Sequence, residues 1–352
     1  MAAKRKNVEN FRRDLLGWYD SHRRVLPWRA LPGQTADPYH VWLSEVMLQQ
    51  TTVPAVIPYF LKFLSKWPTV KDLAAAPSQE VMENWAGLGY YARARNLHKC
   101  AQYVANELNG IFPDTQDALK KLPGIGDYTS AAIAAIAFNK PANVVDGNVE
   151  RVMARIFAVA DPVPVSKPRL KSLAEQMAKG ETERPGDYAQ ALMDLGAVIC
   201  SPPSPKCTLC PVLSYCDGKA QGIAASLPTR SAKAAKPQKH GYIYWITEPR
   251  GRILFEKRAD KGMLGGTIGL PTSSWVETTH ERPHLSSGGK RKATKVQVRH
   301  SFTHFDLALD GFAVSLSAPT LPEGGEYFWA TREEAARLGI PTIFKKALKQ
   351  FI

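Results

Sequence analysis

Four of the five cysteines stand as Cys200-x6-Cys207-x2-Cys210-x5-Cys216. Thiolates this close in sequence can enclose one metal centre. A zinc ion in a tetrahedron of sulfurs and a 4Fe–4S cubane both meet the requirement, and spacing alone does not decide between them. Pro202, Pro203, Pro205 and Pro211 stiffen the loop and suit a preformed cage. In a reducing compartment such a cluster reads as a metal site rather than a disulfide framework. Cys100 stands apart on a helical face with Leu97 and Val104, as a small hydrophobe would.

Two acids stand where they could do different work. Glu45 lies in Val41-Trp42-Leu43-Ser44-Glu45-Val46-Met47-Leu48. Apolar neighbours there would raise its pKa and suit it to general acid catalysis; the plainer alternative is a charge on the solvent face of a helix. Asp146, in Val144-Val145-Asp146-Gly147-Asn148-Val149, precedes a stretch of clear helical period. Its plain role is an N-cap. A carboxylate at a helix N-terminus is also stabilised as the anion, and an anion beside a developing cation stabilises an oxocarbenium-like transition state. The two roles can coexist. After Glu45, the residues Gln49, Gln50 and Thr51 offer short polar groups suited to base edges. Leu122-Pro123-Gly124-Ile125-Gly126 opens an Ala-rich stretch. A Gly-x-Gly turn before a helix exposes backbone N–H groups that favour a phosphate, although many helix–turn–helix links also contain Pro and Gly.

The elements that must hold these groups are legible in outline. Residues 8–217 read as many short helices, with apolar spacing in Phe11, Leu15, Trp18 and in Val41, Val46, Leu48. Thr129–Phe138 and Asp146–Val159 continue the pattern, and Pro54, Pro68, Pro77, Gly110, Pro113 and Pro123 punctuate it. Residues 218–240 are rich in Ala, Lys and Pro and read as a linker. Period-2 alternation then takes over in GYIYWIT, RILFEKR, KVQVRHSF and FDLALDGFAV. Residues 280–294 read as a polar, basic loop, and 332–351 return to helical spacing. The second part is therefore α+β. REEAARLGI (Arg332–Ile340) echoes part of a Nudix box without the paired glutamates that would hold a divalent metal, so it reads as a surface helix.

Composition bounds the partner. In 352 residues, 44% are hydrophobic, which excludes a disordered or collagen-like chain. Lys and Arg total 46 against 32 Asp and Glu, a net charge of +14 that favours a polyanion, nucleic acid or an acidic membrane surface. No apolar run suffices for a transmembrane helix, and the basic start lacks the apolar core of a signal peptide. A cytoplasmic, nucleoid-associated protein is expected.

Taken together, LPWR (Leu26–Arg29), WLSEVMLQQT (Trp42–Thr51), GLGYYARARNL (Gly87–Leu97), LPGIG (Leu122–Gly126), VDGNV (Val145–Val149) and the four-cysteine loop resemble the MutY-type adenine DNA glycosylases, within the endonuclease III-like helix–hairpin–helix superfamily. The resemblance implies a mostly α-helical helix–hairpin–helix catalytic domain over 1–217 ending in a 4Fe–4S loop, a linker over 218–240, and an α+β Nudix-like 8-oxoguanine recognition domain over 241–352. It implies a monomer acting on duplex DNA with adenine opposite 8-oxoguanine or guanine, the adenine being flipped from the stack. Glu45 takes the place of the acid that protonates adenine, and Asp146 that of the carboxylate that stabilises the cationic sugar. Gln50, Thr51, Tyr90, Leu122, Gly124 and Gly126 match DNA-contacting positions, with Tyr90 as the wedge beside the opposing base. Arg24, Leu26, Trp28, Arg29 and Gln190 match the adenine pocket.

Bifunctional relatives carry a nucleophilic Lys two residues after the second hairpin Gly. Here Gly126 is followed by Asp127 and Tyr128, and a Schiff base needs an amine. A monofunctional enzyme is implied, with Tyr128 either hydrogen-bonded near Asp146 or packed on the Ala-rich helix. The family's Phe-Ser-His turn corresponds to Phe302-Thr303-His304, where Thr keeps the hydroxyl, and Leu264 stands where many members have Trp. Two alternatives compete: a glycosylase/lyase for oxidised pyrimidines, and a non-catalytic Fe–S DNA-binding protein that would leave Glu45 and Asp146 without work.

Overall fold

The computed structural model describes residues 7–179, 183–231, 235–277 and 290–351. Its elements run α1 (Val8–His22), α2 (Pro38–Leu48), α3 (Val53–Lys66), α4 (Val70–Ala75), α5 (Ser78–Trp85), α6 (Ala92–Glu107), α7 (Gln116–Leu119), α8 (Asp127–Phe138), α9 (Gly147–Ile156), α10 (Lys167–Ala178), α11 (Pro185–Asp194) and α12 (Asp217–Ala220). Then follow β1 (Gln238–Thr247), β2 (Ile253–Lys257), β3 (Ile268–Gly269), β4 (Lys290–Ser301), β5 (Asp306–Ser315), β6 (Glu326–Ala330), α13 (Arg332–Arg337) and α14 (Thr342–Phe351). Two compact units result, one from residues within 1–74 and 99–233, the other from residues within 75–98 and 234–352.

In the first unit α8 is the central strut, packed by α2, α7 and α11. Its alanines explain the approach: Ala131, Ala132, Ala134 and Ala135 are all buried and leave room for neighbouring backbones. Gly186 on α11 sits so close that a Cβ there would lie 2.5 Å from the Ala135 carbonyl oxygen. On α1 the buried stripe is Phe11, Leu15 and Tyr19, every fourth residue. Trp18, at the edge of that stripe, is half-buried against the same core and also stacks on His22 with ring centroids 5.7 Å apart.

The expected linker is shorter than its composition suggests. Asp217–Ala220 forms α12, Ala224 and Leu227 are buried, and the Leu227 carbonyl accepts a 2.9 Å bond from Arg155 Nε. Small residues permit this docking, since Gly218 lies directly against the Arg155 carbonyl. The expected linker's last residues, from Gln238, already belong to β1.

The second unit is a mixed sheet in the order β3-β2-β1-β5-β4, with β6 also paired to β2. β1 and β5 run parallel, whereas β4 and β5 form an antiparallel hairpin. Alternation puts Ile243, Phe255, Leu307 and Leu309 on one face, where Ile343, Phe344 and Ala347 of α14 cover them. Of the loop expected over 280–294, residues 280–289 lie outside the described residues and 290–294 begin β4. The helical tail is two helices, broken around Gly339 and Pro341, and α13 is a surface helix closed by a Thr331–Glu334 capping box. Among the described residues no helix is long and apolar enough to cross a membrane.

Replacing Gly186 with Ala is expected to cost about 1–3 kcal/mol, because backbone rather than a mobile side chain blocks the new methyl. Thermal unfolding checks this; an unchanged melting temperature would show that α8 and α11 can separate freely.

Candidate active site

Asp37 caps α2, its Oδ1 accepting from Tyr39 N at 2.7 Å, and the helix is then buried from Val41 to Met47. Glu45 is therefore carried into the interior and is 6% exposed. Burial pushes its carboxyl up to about 7. The Tyr128 hydroxyl, which hydrogen-bonds Glu45, pulls the other way; the charge of Asp146 adds to the rise and that of Arg29 opposes it. Tyr128 thus meets Glu45, with the charge of Asp146 also acting on it, and its hydroxyl lies 3.7 Å from the Met193 sulfur.

Asp146 is the N-cap of α9. One oxygen accepts from the backbone N–H groups of Asn148 (2.9 Å) and Val149 (2.8 Å), and the other from Asn148 Nδ2 at 2.7 Å. Glu45 and Asp146 line one cleft. Arg24, Leu26, Trp28 and Arg29 reach it from the loop after α1, Gln50 and Thr51 from the turn after α2, and Gly124, Gly126 and Tyr128 from the start of α8. Gln190 reaches it from α11. Gln50 adopts φ 57°, a left-handed conformation uncommon for a residue with a side chain. The Leu122 side chain is buried and shapes the turn from inside, so what it can offer a partner is backbone. Gly124, at φ 74°, makes the turn possible, and Gly126 starts α8 with open space around its Cα.

Several site residues escaped the sequence reading. Asp194, fully buried at the end of α11, takes Arg24 Nε at 2.6 Å and Arg29 Nη1 and Nη2 at 2.7 and 2.8 Å. Burial would raise its carboxyl, but the bonds and charge of Arg29, with Arg24, hold it below the usual range. The signal was an acid inside the apolar run Ala191–Leu195. On α9, Arg151 donates to Asn148 Oδ1 (2.8 Å), to the Gly196 carbonyl (2.6 Å) and to the Cys200 carbonyl (2.7 Å). Arg155 donates to the same Cys200 carbonyl (3.0 Å) and to Cys200 Sγ (3.2 Å). A continuous chain of polar contacts thus joins Asp146 to the cysteine loop. Two buried arginines four apart on α9, Arg151 and Arg155, were the overlooked sign.

Cys200, Cys207, Cys210 and Cys216 line one small pocket walled by Val152, Ile156, Leu195 and Val212. Lys219 N also points at Cys216 Sγ, at 3.4 Å. Among the described residues no three His, Cys, Asp or Glu side chains converge on a single-ion site. Four thiols on one pocket, with N–H donors aimed at Cys200 and Cys216, fit a thiolate-ligated metal group. Cys100 is fully buried, and burial pushes its thiol up to about 12, as expected of a small hydrophobe.

The second unit holds the remaining candidates. Tyr90, at φ 49° and 45% exposed, shares a 2.7 Å hydrogen bond with Thr303 Oγ1. Arg93 stacks between the Trp85 and Tyr90 rings, 5.2 and 5.4 Å from their centroids, and donates to the carbonyls of Leu88 and Gly89. Arg95 donates to the Gly265 carbonyl. Both arginines thus serve internal packing. Phe302 closes the β4–β5 turn through its bond to the Phe305 carbonyl and stacks on Trp275, while Thr303 and His304 stand exposed at the tip.

Helical packing around a Gly-rich hairpin, with two carboxyls on one cleft, is the arrangement of a class of DNA repair protein. The profile of the HhH-GPD superfamily base excision DNA repair proteins matches residues 43–178, and a Nudix domain profile matches residues 242–350. Adenine DNA glycosylases of Mus musculus and Homo sapiens are each 35% identical over 98% of this chain, covering 78% and 74% of the relatives. A thermostable thymine-DNA glycosylase structure is 31% identical, with a TM-score of 0.53 over 61% of this chain and 98% of its own. A trapped endonuclease III–DNA covalent intermediate, 24% identical over 62% of this chain and 99% of its own, shares the fold at a TM-score of 0.51. The chain belongs to the adenine DNA glycosylase family.

If the proton on Glu45 is required, base release should be fast below pH 7 and fall as pH rises through about 7, by about tenfold per pH unit beyond it. Single-turnover rates across pH check this; a rate that stays level well into the alkaline range contradicts it.

Proposed function

We propose that the protein is a monofunctional glycosylase that excises adenine paired with 8-oxoguanine or guanine in duplex DNA. The observation that carries this reading is the pair of unlike carboxyls on one cleft: Glu45, buried and holding its proton up to about 7, and Asp146, held by three hydrogen bonds at the head of α9. Adenine must leave the stack before its glycosidic bond is reachable. Arg24, Leu26, Trp28, Arg29 and Gln190 would receive it. Glu45 donates its proton to adenine N7, the C1′–N9 electron pair departs with the base, and a cationic sugar remains. Asp146 stabilises that cation. Water then adds at C1′ and loses a proton, which leaves an abasic site.

Tyr128 orients Glu45 through its hydroxyl and offers no amine for a Schiff base, so strand cleavage by lyase chemistry is not expected. Gly124 and Gly126 present N–H groups to a phosphate, Gln50 and Thr51 lie beside them on the cleft, and excess Lys and Arg supply salt-dependent, sequence-blind affinity. The opposing 8-oxoguanine is read by the Thr303–His304 tip with Tyr90 as the wedge; an aromatic ring in a disrupted stack contributes about 1–3 kcal/mol. Cys200, Cys207, Cys210 and Cys216 would hold a 4Fe–4S cluster, which supplies cross-linking of the loop and redox capacity rather than bond cleavage.

Adenine release from duplexes with adenine opposite 8-oxoguanine, guanine and thymine tests the reading; activity confined to thymine pairs would falsify it. Glu45→Gln should slow release by about 10²–10⁴-fold with duplex binding nearly intact. Borohydride should trap no adduct as efficiently as it does for a Lys-dependent lyase. Purified protein should absorb broadly near about 400 nm, as thiolate-ligated iron does; colourless, zinc-loaded protein would exclude the cluster.

A further inference from the structure

We propose that Asp194 is a positioning residue: it anchors Arg24 and Arg29 and balances their charge, and so sets the field that the base-binding loop exerts on Glu45. The inference rests on the reading of Glu45 as the acid.

Asp194 ends α11 and has no exposed surface. Its two oxygens take four donors: Arg24 N (3.0 Å), Arg24 Nε (2.6 Å), Arg29 Nη1 (2.7 Å) and Arg29 Nη2 (2.8 Å). Arg29 Nη1 also donates to the Arg24 carbonyl at 3.2 Å, so the loop closes on itself around the same carboxylate. Asp194 thus anchors to α11 the two arginines that border Leu26 and Trp28.

The groups acting on Glu45 are Tyr128 from α8, Asp146 from the head of α9, and Arg29 from this loop. Arg29 is the positive member. Two arginines and one aspartate give the cluster a formal charge of +1. Asp194→Asn raises that to +2 and favours the Glu45 anion; Arg24→Gln lowers it to 0 and favours the acid. The two substitutions act at one anchor with opposite sign. Mere structural damage would not do that.

The test is single-turnover adenine release by the full chain, measured across the pH range in which carboxyls titrate. Asp194→Asn should move the basic limb to lower pH, and the rate above the limb should fall about tenfold for each pH unit the limb moves. Arg24→Gln should move it to higher pH, and Asp194→Glu should keep the parent's limb. If Asp194→Asn does not fold, Arg24→Gln decides alone, because Arg24 is partly exposed and its loss leaves the Arg29–Asp194 pair intact. Limbs that coincide with the parent's in every variant that folds, whatever the absolute rates, overturn the role of Asp194 only. A parent with no basic limb overturns the acid reading together with this one.

Discussion

Glu45 occupies a helix buried from Val41 to Met47, and a carboxyl there ionises reluctantly because its anion would lose its hydration. The neutral acid avoids that cost, and the hydroxyl of Tyr128 supplies a polar partner. The neighbouring Asp146 is a negative charge that makes ionisation harder still. Asp146 can stay there because the head of α9 gives it two backbone N–H donors and Asn148 a third. The same chemical group thus serves twice, in two unlike environments: Glu45 buried among apolar side chains, Asp146 at a helix head with three donors. The packing of α2, α8 and α9 has to respect that difference.

The charges farther out are arranged on the same logic. Asp194 faces two guanidinium groups, and Arg151 and Arg155 spend their donors on carbonyls and on Cys200 Sγ. Buried charges of this kind add little net stability, but breaking one partner costs about 3–5 kcal/mol because the other is stranded. What they supply is geometry. The loop bearing Trp28 hangs from α11 through Asp194, and the head of α9 is tied to the cysteine loop through Asn148 and Arg151.

In the second unit the exposed groups are mounted on a stiff base. Tyr90 has a left-handed backbone and an arginine stacked beneath its ring, and Phe302 is packed against Trp275 and Phe305. Rigid mounting lowers the entropy lost when such side chains engage a partner. The Nudix-like sheet serves here as a scaffold for the β4–β5 turn, and Glu334 of α13 closes the capping box at Thr331.

Much of the site was legible because its signals are local. The cysteine spacing, the Gly-x-Gly turn, the N-cap at Asp146 and the alternation of the strands each depend on residues a few positions apart. Glu45 among apolar neighbours declared its burial in the same way. Only the tertiary structure decided that Tyr128 meets Glu45, that residues 217–227 dock on α9, and that β1 pairs parallel with β5. It alone revealed Asp194, whose partners Arg24 and Arg29 are 170 and 165 positions away. Periodicity and spacing report which face a residue turns inward. They carry no information on which distant residue waits there, and a buried charge is defined by that partner.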